Sequence, residues 1–356
     1  MLTEKELSKI KEELDNSAKP FYYFDDDPDG IASFLIVYRY RKEGVGVIIK
    51  ARSLLTMQFL NKAINYGADR IFVLDIPDAD EEVQKLNIPM TWIDHHDTNM
   101  KIKKSISYFN PKVKEKEAKK GKQKEIYIPT SYLCYQALKT DLWIGAVGCI
   151  GDYYLPDFIE EVKEKYPELL DNIDITNIDE IKYKSNLGKL VKMFSFLMMG
   201  DMKNVQTNLK ILTRIDNPIE LIINETSRAK KLNKYFERIN SEYDKVLKNA
   251  LETKINNNIL FFIYPSSNIS VTKDISNELS SMMRDTVIII GREKGGELKI
   301  SLRWSKDIRT PFKKVLNKVK GYGGGHENSC GGAIKSEHKE TFLELMGEEI
   351  KKSNKT

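Results

Sequence analysis

The 356-residue chain is long enough to bury a sizeable core, and two domains are the default expectation. A composition of 41% hydrophobic and 31% charged residues describes a soluble globular protein, and no apolar run approaches the roughly 18 residues of a membrane helix. The net charge of +5 permits a polyanionic partner without demanding one.

Cys134, Cys149 and Cys330 are scattered with no CxxC spacing, which argues against a disulfide framework and for a reducing compartment. Residues 1–16 are charged and lack the apolar core of a signal peptide. A cytoplasmic protein without membrane association is the expectation.

Residues 3–16 place Leu7, Ile10 and Leu14 on one side of a charged amphipathic helix that ends before Pro20. Phe21 to Phe24 reads as a strand, and Asp25-Asp26-Asp27-Pro28-Asp29-Gly30 as the turn after it. A helix is predicted from Gly30 to Arg41, a strand from Val45 to Ala51, and a helix from Gln58 to Tyr66 capped by Gly67. A strand follows from Ile71 to Asp75, a helix from Ala79 to Leu86, and a strand from Met90 to Ile93. Alternation of this kind predicts a doubly wound parallel sheet. From Lys101 to Lys124 ten lysines face two glutamates, either as a solvated loop or as a basic flap along a nucleic acid. Thr130 to Lys139 is predicted helical, and Leu142 to Ile150 reads as a buried strand or helix.

Between residues 157 and 255 helical periodicity dominates, in Ile181–Met199, Val205–Arg214 and Pro218–Lys254. Asn256 to Asn258 forms a turn. Then come a strand Ile259–Tyr264, a helix Asp274–Met283, and strands Thr286–Gly291 and Leu298–Trp304 joined at Gly295-Gly296. A helix from Pro311 to Val319 precedes the glycine-rich Gly321–His326, predicted as a flexible loop, and a helix from Lys339 to Lys351 closes the chain.

Four apolar segments run into acids or histidines: Phe21–Phe24, Arg70–Leu74, the segment before Asp94-His95-His96, and Trp143–Ile150 before Gly151-Asp152. At the carboxyl edge of a parallel sheet these groups converge. Asp27 and Asp29, two apart on a turn, can face one site, and Gly30 permits a sharp entry into the helix. Helix capping explains one aspartate, but four crowded together repel one another unless a cation neutralises them. Asp75 is a candidate to bridge two metals, and Asp152 is the last candidate ligand. On an extended chain His95 and His96 face opposite ways, so one ligates metal while the other reaches a phosphate. An oxygen-rich set with imidazoles suits Mn²⁺ or Mg²⁺. Two such ions roughly 3.5–4 Å apart can hold the attacking and leaving oxygens of an in-line displacement at phosphorus.

In the last hundred residues Gly323, Gly324 and Gly325 offer backbone N–H groups to an anion, and His326 follows them. Ser301 and Arg303 share a strand face, where the guanidinium can grip a phosphate bidentately. Lys306, Arg309, Lys313, Lys314, Lys318 and Lys320 add a basic surface. Trp304 and Tyr322 are candidates to stack on bases, with core packing the alternative for Trp304.

These residues resemble the DHH phosphoesterase superfamily, whose triplet stands here as Asp94-His95-His96. Asp27-Pro28-Asp29-Gly30, Asp75, Asp94–His96 and Asp152 resemble its motifs I to IV in order. Ser301-Leu302-Arg303 and Gly323–His326 with Gly331-Gly332 resemble the companion DHHA1 domain. Within the superfamily the chain is most similar to archaeal RecJ-like exonucleases.

The resemblance implies an α/β chain with a doubly wound DHH domain over residues 1–156, a helical connector over 157–255 and a smaller DHHA1 domain over 256–356. It implies Asp27, Asp29, Asp75, His95 and Asp152 as ligands of two Mn²⁺ ions, with Mg²⁺ the alternative. It implies catalytic roles for His96, as a phosphate contact, and Asp94. Ser301, Arg303, Gly323, Gly324, Gly325 and His326 would bind substrate. Tyr23 stands where the family usually has a histidine, which would weaken one metal position unless Asp25 substitutes.

The function so implied is a single-strand exonuclease on DNA or RNA, releasing mononucleotides in repair or replication, with a replication or fork-repair protein as partner. The alternatives are a phosphodiesterase for short oligonucleotides or cyclic dinucleotides, and a catalytically weakened scaffold. Manganese pyrophosphatases share motifs I to IV, but Gly323–His326 argues for a nucleotide-bearing substrate. A homo-oligomer is compatible with this reading.

Overall fold

The computed structural model describes residues 1–50, 54–98, 100–113, 127–265 and 269–353. The chain divides into two compact units, Met1–Asn233 and Lys234–Thr356.

In the first unit five parallel strands form one sheet: β1 (Pro20–Asp25), β2 (Val45–Ile49), β4 (Arg70–Leu74), β6 (Met90–Ile93) and β7 (Ile106–Phe109), in the order β2-β1-β4-β6-β7. The strands are near-continuous apolar runs because both faces are covered. Phe21, Tyr23, Ile71, Val73 and Trp92 are buried on one face, where Leu60 and Ala63 of helix Met57–Tyr66 join them. Tyr22, Phe24, Phe72 and Leu74 occupy the other, where Phe24 stacks on Phe34 of helix Pro28–Arg41 with centroids 4.4 Å apart. Each such buried side chain contributes roughly 1.5–3 kcal/mol.

Helix Pro28–Arg41 is buried from Asp29 to Val37, since helices Thr130–Leu138 and Leu142–Gly151 pack on its far side. It begins at proline in the first turn, behind an Asp27 cap. Its Arg39 pairs with Asp141 (2.9 Å) and donates to the carbonyls of Thr213 and Ile215 at 3.0 and 2.9 Å. Those bonds tie the helix to the helical stretch that follows, in which Asn186–Leu197 packs on Leu142–Gly151. The chain reverses direction across the sheet between β1 and β4, and ligands bind at the strand carboxyl ends of such a reversal.

Several expectations change or are narrowed. Ala79–Leu86 is not a helix: β5 (Asp78–Ala79) pairs with β3 (Leu54–Leu55), and only a 3-10 turn follows at Val83–Lys85. With only Val83 and Gln84 buried there, no apolar stripe holds a helix against the core. β7 lies inside the lysine-rich stretch, whose charge hides a four-residue edge strand. Leu142–Gly151, read as a buried strand or helix, is a buried helix, so Asp152 arrives from a helix end rather than a strand end. Ile181–Met199 is two helices, broken where Ser185 accepts from the Gly188 N–H at 3.0 Å and caps the second. Pro218–Lys254 is likewise two helices, Ile219–Ile222 and Ser227–Leu251. A further change falls in the second unit. Lysines from Lys114 to Lys124 lie outside the described residues. Among the described residues no helix is long and apolar enough to cross a membrane.

The second unit is a mixed sheet in the order β11-β12-β10-β9-β8: β8 (Ile259–Pro265), β9 (Val287–Lys294), β10 (Glu297–Arg303), β11 (Tyr322–Gly325) and β12 (Ser329–Lys335). Only β8 and β9 are parallel to each other. Leu298, Ile300, Leu302, Cys330 and Ile334 face a core completed by helices Arg309–Val319 and Lys339–Ser353. Helix Thr272–Met282 covers β9 and β10 on the opposite face. The glycines expected in a loop form strand β11, because β12 supplies a complete antiparallel ladder from Tyr322↔Ala333 to Gly325↔Cys330. Trp304 is buried in the core and is no stacking surface, whereas Tyr322 is exposed.

Candidate metal centre

Every acid that ends an apolar segment of the first unit reaches one place. Asp25 ends β1. Asp27 caps the next helix, its carboxylate accepting from the N–H groups of Asp29 (3.1 Å) and Gly30 (3.3 Å). A Cβ on Gly30 would lie 2.7 Å from the Asp25 carbonyl oxygen, so only glycine lets the helix start this close to the strand end. Asp75 follows β4 in a left-handed conformation (φ 61°). Asp94 and His95 follow β6, and Asp152 caps helix Leu142–Gly151.

His95 Nε2 lies 3.1 Å from Asp75, 3.6 Å from Asp152 and 3.9 Å from Asp29. Three overlapping triads present ligand atoms within 4.8 Å of one another: Asp29-His95-Asp152, Asp75-His95-His96 and Asp25-Asp27-Asp75. Asp75 and His95 are each shared by two triads, so the geometry offers adjoining cation positions. Burial pushes the Asp29 carboxyl well up, and the charges of Asp152 and Asp27 push it further. Burial also raises Asp75, followed by Asp29, Asp27, Asp152 and Asp25. Acids forced together in this way are relieved by a divalent cation, and the donor set of carboxylates and imidazole fits Mn²⁺ or Mg²⁺. Burial and the neighbouring His96 lower His95 to about 4, so it is a neutral imidazole with a lone pair to give.

The two histidines do not diverge as an extended chain requires. The chain bends at His96, and both rings meet Asp75, with centroids 4.3 Å apart. His96 Nδ1 lies 2.8 Å from Asp94. Burial pulls its pKa down, but the hydrogen bond and charge of Asp94 outweigh burial and hold it up at about 9. About a third of the His96 side chain (35%) stays exposed, against 3% for His95, so His96 is the imidazole open to a substrate oxygen. Asp94 is fully buried behind it, belongs to none of the triads and hydrogen-bonds His96.

Several supporting residues were not singled out in the sequence. The first N–H groups of helix Thr130–Leu138 donate to Asp29, Thr130 at 2.8 Å and Ser131 at 2.9 Å, and the Ser131 hydroxyl donates to it as well. A helix amino terminus holds an anion well. The Tyr127 hydroxyl donates to Asp152 at 2.9 Å, and its ring meets His95 edge-on. Asn110, one residue past β7, donates to the His96 carbonyl (2.9 Å) and to Asp94 (3.4 Å). Its signal was present: like the acids, it is a polar residue directly after a strand. Tyr23 is turned away from the acids, donating its hydroxyl to the Phe59 carbonyl at 2.7 Å in the core. Asp25 takes the place near Asp27 and Asp75 instead. Asn110→Ala is expected to weaken divalent-cation binding roughly 10–100-fold by titration calorimetry, as loss of an outer support does, and to lower the melting temperature by removing its bonds with the His96 carbonyl and the Lys112 N–H.

In the second unit, β10, β12 and β11 bring four of the six expected substrate residues, Ser301, Arg303, Gly324 and His326, onto one sheet face. Register pairs Arg303 with Ser329 and Ser301 with Gly331, and Gly331 with Gly324. His326 and Ser329 close the hairpin with paired backbone bonds of 2.8 and 3.3 Å. Arg303, Gly324 and His326 thus lie along one face with the exposed Gly331, while Ser301 on the same face is buried, its hydroxyl bonded to that of Ser276 in helix Thr272–Met282 at 2.8 Å. Gly323 and Gly325 alternate to the other face. Arg303 is braced by Asn277 (2.6 Å) and Ser301 (3.0 Å). Lys306, Arg309, Lys313, Lys314, Lys318 and Lys320 are all exposed.

Residues 249–352 match the family model of the DHHA1 domain. No curated protein sequence matches the chain. Among solved structures the chain is similar to RecJ from Thermus thermophilus in complex with Mn²⁺, with a TM-score of 0.67 at 12% identity over 98% of this chain. It spans about half (54%) of that RecJ. It is also similar to a second exonuclease RecJ bound to manganese, with a TM-score of 0.59 at 12% identity, covering 96% of this chain and 93% of that one. CDC45 from Entamoeba histolytica matches with a TM-score of 0.53 at 9% identity, over 97% of this chain and 98% of that one.

Proposed function

The chain carries a DHHA1 domain and has the RecJ-like DHH fold, and on that premise we propose that it is a divalent-cation-dependent phosphodiesterase. Its substrate in this reading is single-stranded DNA or RNA, shortened from one end to mononucleotides in repair or replication. The observation that carries the proposal is the set of three overlapping ligand triads found among the described residues at the carboxyl edge of the sheet, in one of which His96 is the partly exposed member.

Asp27, Asp29, Asp75, His95 and Asp152 would hold the cations, with Asp25 as a further carboxylate. Bound there, divalent cations supply Lewis-acid activation of the phosphate and of water. His96, a cation at neutral pH, donates to a non-bridging phosphate oxygen, and Asp94 keeps its ring oriented and protonated. The face of Arg303, Gly324 and His326 suits a phosphate or sugar of the substrate, and the exposed lysines of the same unit add positive charge for a polyanion.

The test is digestion of single-stranded DNA and RNA labelled at either end, with Mn²⁺ and with chelator. Mn²⁺-dependent ladders from one end are expected. No product from long strands or from di- and trinucleotides would overturn the reading and favour a scaffold.

A further inference from the structure

Helix Leu142–Gly151 ends in a way that calls for glycine and has tyrosine. The Tyr154 N–H donates to the Cys149 carbonyl (2.9 Å) and the Tyr153 N–H to the Ile150 carbonyl (3.2 Å). That double closure needs a left-handed residue just past the cap, the position glycine usually fills. Tyr153 occupies it with φ 56°. A bulky side chain there is strained, and strain of this kind persists where surrounding contacts over-determine the pose.

Burial does not compensate for this strain, because Tyr153 is 41% exposed. The ring is nevertheless held. The Lys182 ammonium lies 3.7 Å from its centroid and also donates to the Gly151 carbonyl. The Tyr183 hydroxyl bonds the Tyr153 hydroxyl. An exposed aromatic ring is thus fixed in orientation one residue after Asp152, whose carboxylate faces His95.

The geometry points to Tyr153 as a stacking platform for the nucleobase of the nucleotide whose phosphate meets the acidic triads. This inference rests on the phosphodiesterase reading and names a subsite for it. A base carried on that phosphate lies within reach of the neighbouring residue. Every base presents a π-face, so a preset tyrosine binds it with little sequence preference. The lysine under the ring fixes the platform and adds its charge to the nucleotide's surroundings.

The test uses the full chain as wild type, Tyr153→Gly and Tyr153→Phe. Tyr153→Gly removes the ring and places glycine where the helix end prefers it, so its melting temperature should not fall. Oligonucleotides carrying 2-aminopurine at the terminal residue, bound with Ca²⁺, report stacking without turnover. Quenching is expected with wild type and Tyr153→Phe and not with Tyr153→Gly. With Mn²⁺, the ratio of kcat/KM for a terminal adenine over a terminal abasic residue should be about tenfold in wild type and near one in Tyr153→Gly. Equal quenching by wild type and Tyr153→Gly, or loss of quenching in Tyr153→Phe as well, overturns the platform. If quenching follows the ring but no strand is cut, the platform stands and the phosphodiesterase reading fails. If all three proteins cut both substrates alike and quench alike, the reverse holds.

Discussion

Asp29→Ala is expected to abolish cation-dependent hydrolysis, lowering kcat/KM by about three orders of magnitude, ~4 kcal/mol of transition-state stabilisation. Asp29 is wholly buried, and two backbone N–H groups and one hydroxyl aim it at His95 and Asp152. Alanine leaves the Thr130 and Ser131 N–H groups without their acceptor, at a cost of about 1–3 kcal/mol. A domain of ordinary stability tolerates that loss, so the variant should still melt cooperatively. His95→Ala is the companion with a different structural cost, since its Nδ1 has no hydrogen-bond partner among the described residues. Both variants should lose turnover alike. Activity within tenfold of wild type in either one would remove that residue from the centre.

Asp75→Asn should move stability the other way. Asp75 is buried beside four other carboxylates, and burial followed by their charge holds its pKa well above the ordinary carboxylate value. Asparagine keeps the shape, tolerates the left-handed backbone and removes the charge. The metal-free variant should therefore melt at a higher temperature than metal-free wild type.

The sign with pH follows from the raised pKa. The stability tied to this group is fully present below the unfolded value of about 3.9 and is lost as pH rises through the higher folded value. The advantage of Asp75→Asn should accordingly vanish near pH 4 and grow toward neutrality. Saturating Mn²⁺ should stabilise wild type by ~2.7 kcal/mol at a hundredfold excess over Kd, and the variant far less. An Asp75→Asn protein less stable than wild type at pH 7 without metal, or equally stabilised by Mn²⁺, would contradict this account.

Strong local signals were legible in the chain. Phe21–Phe24, Arg70–Leu74 and Met90–Ile93 are apolar runs too short for helices, each followed by polar punctuation, and all became strands of the parallel sheet. The acids after them could be marked because a parallel sheet sends its strand ends one way. Weak or disguised signals were not legible. β7 is hidden by lysines, and Ala79–Leu86 carries too little apolar surface to settle as a helix. The glycines of β11 have no propensity for a strand and become one only because β12 lies alongside.

The sequence by itself determined which groups can bear charge and metal: the aspartates around Pro28, Asp75, the Asp94-His95-His96 triplet and Asp152 are chemistry that no packing creates. Only the tertiary structure decided how they divide the work. It took Tyr23 into the core and brought Asp25 forward, and it bent the chain so that both histidines meet Asp75. It put Asp94 behind His96, and it set Asn110, Tyr127, Thr130 and Ser131 around the acids from distant parts of the chain. The physical reason is range. Residue type and local period are written in neighbouring positions, whereas the partner of a buried hydrogen bond is chosen by which elements pack together.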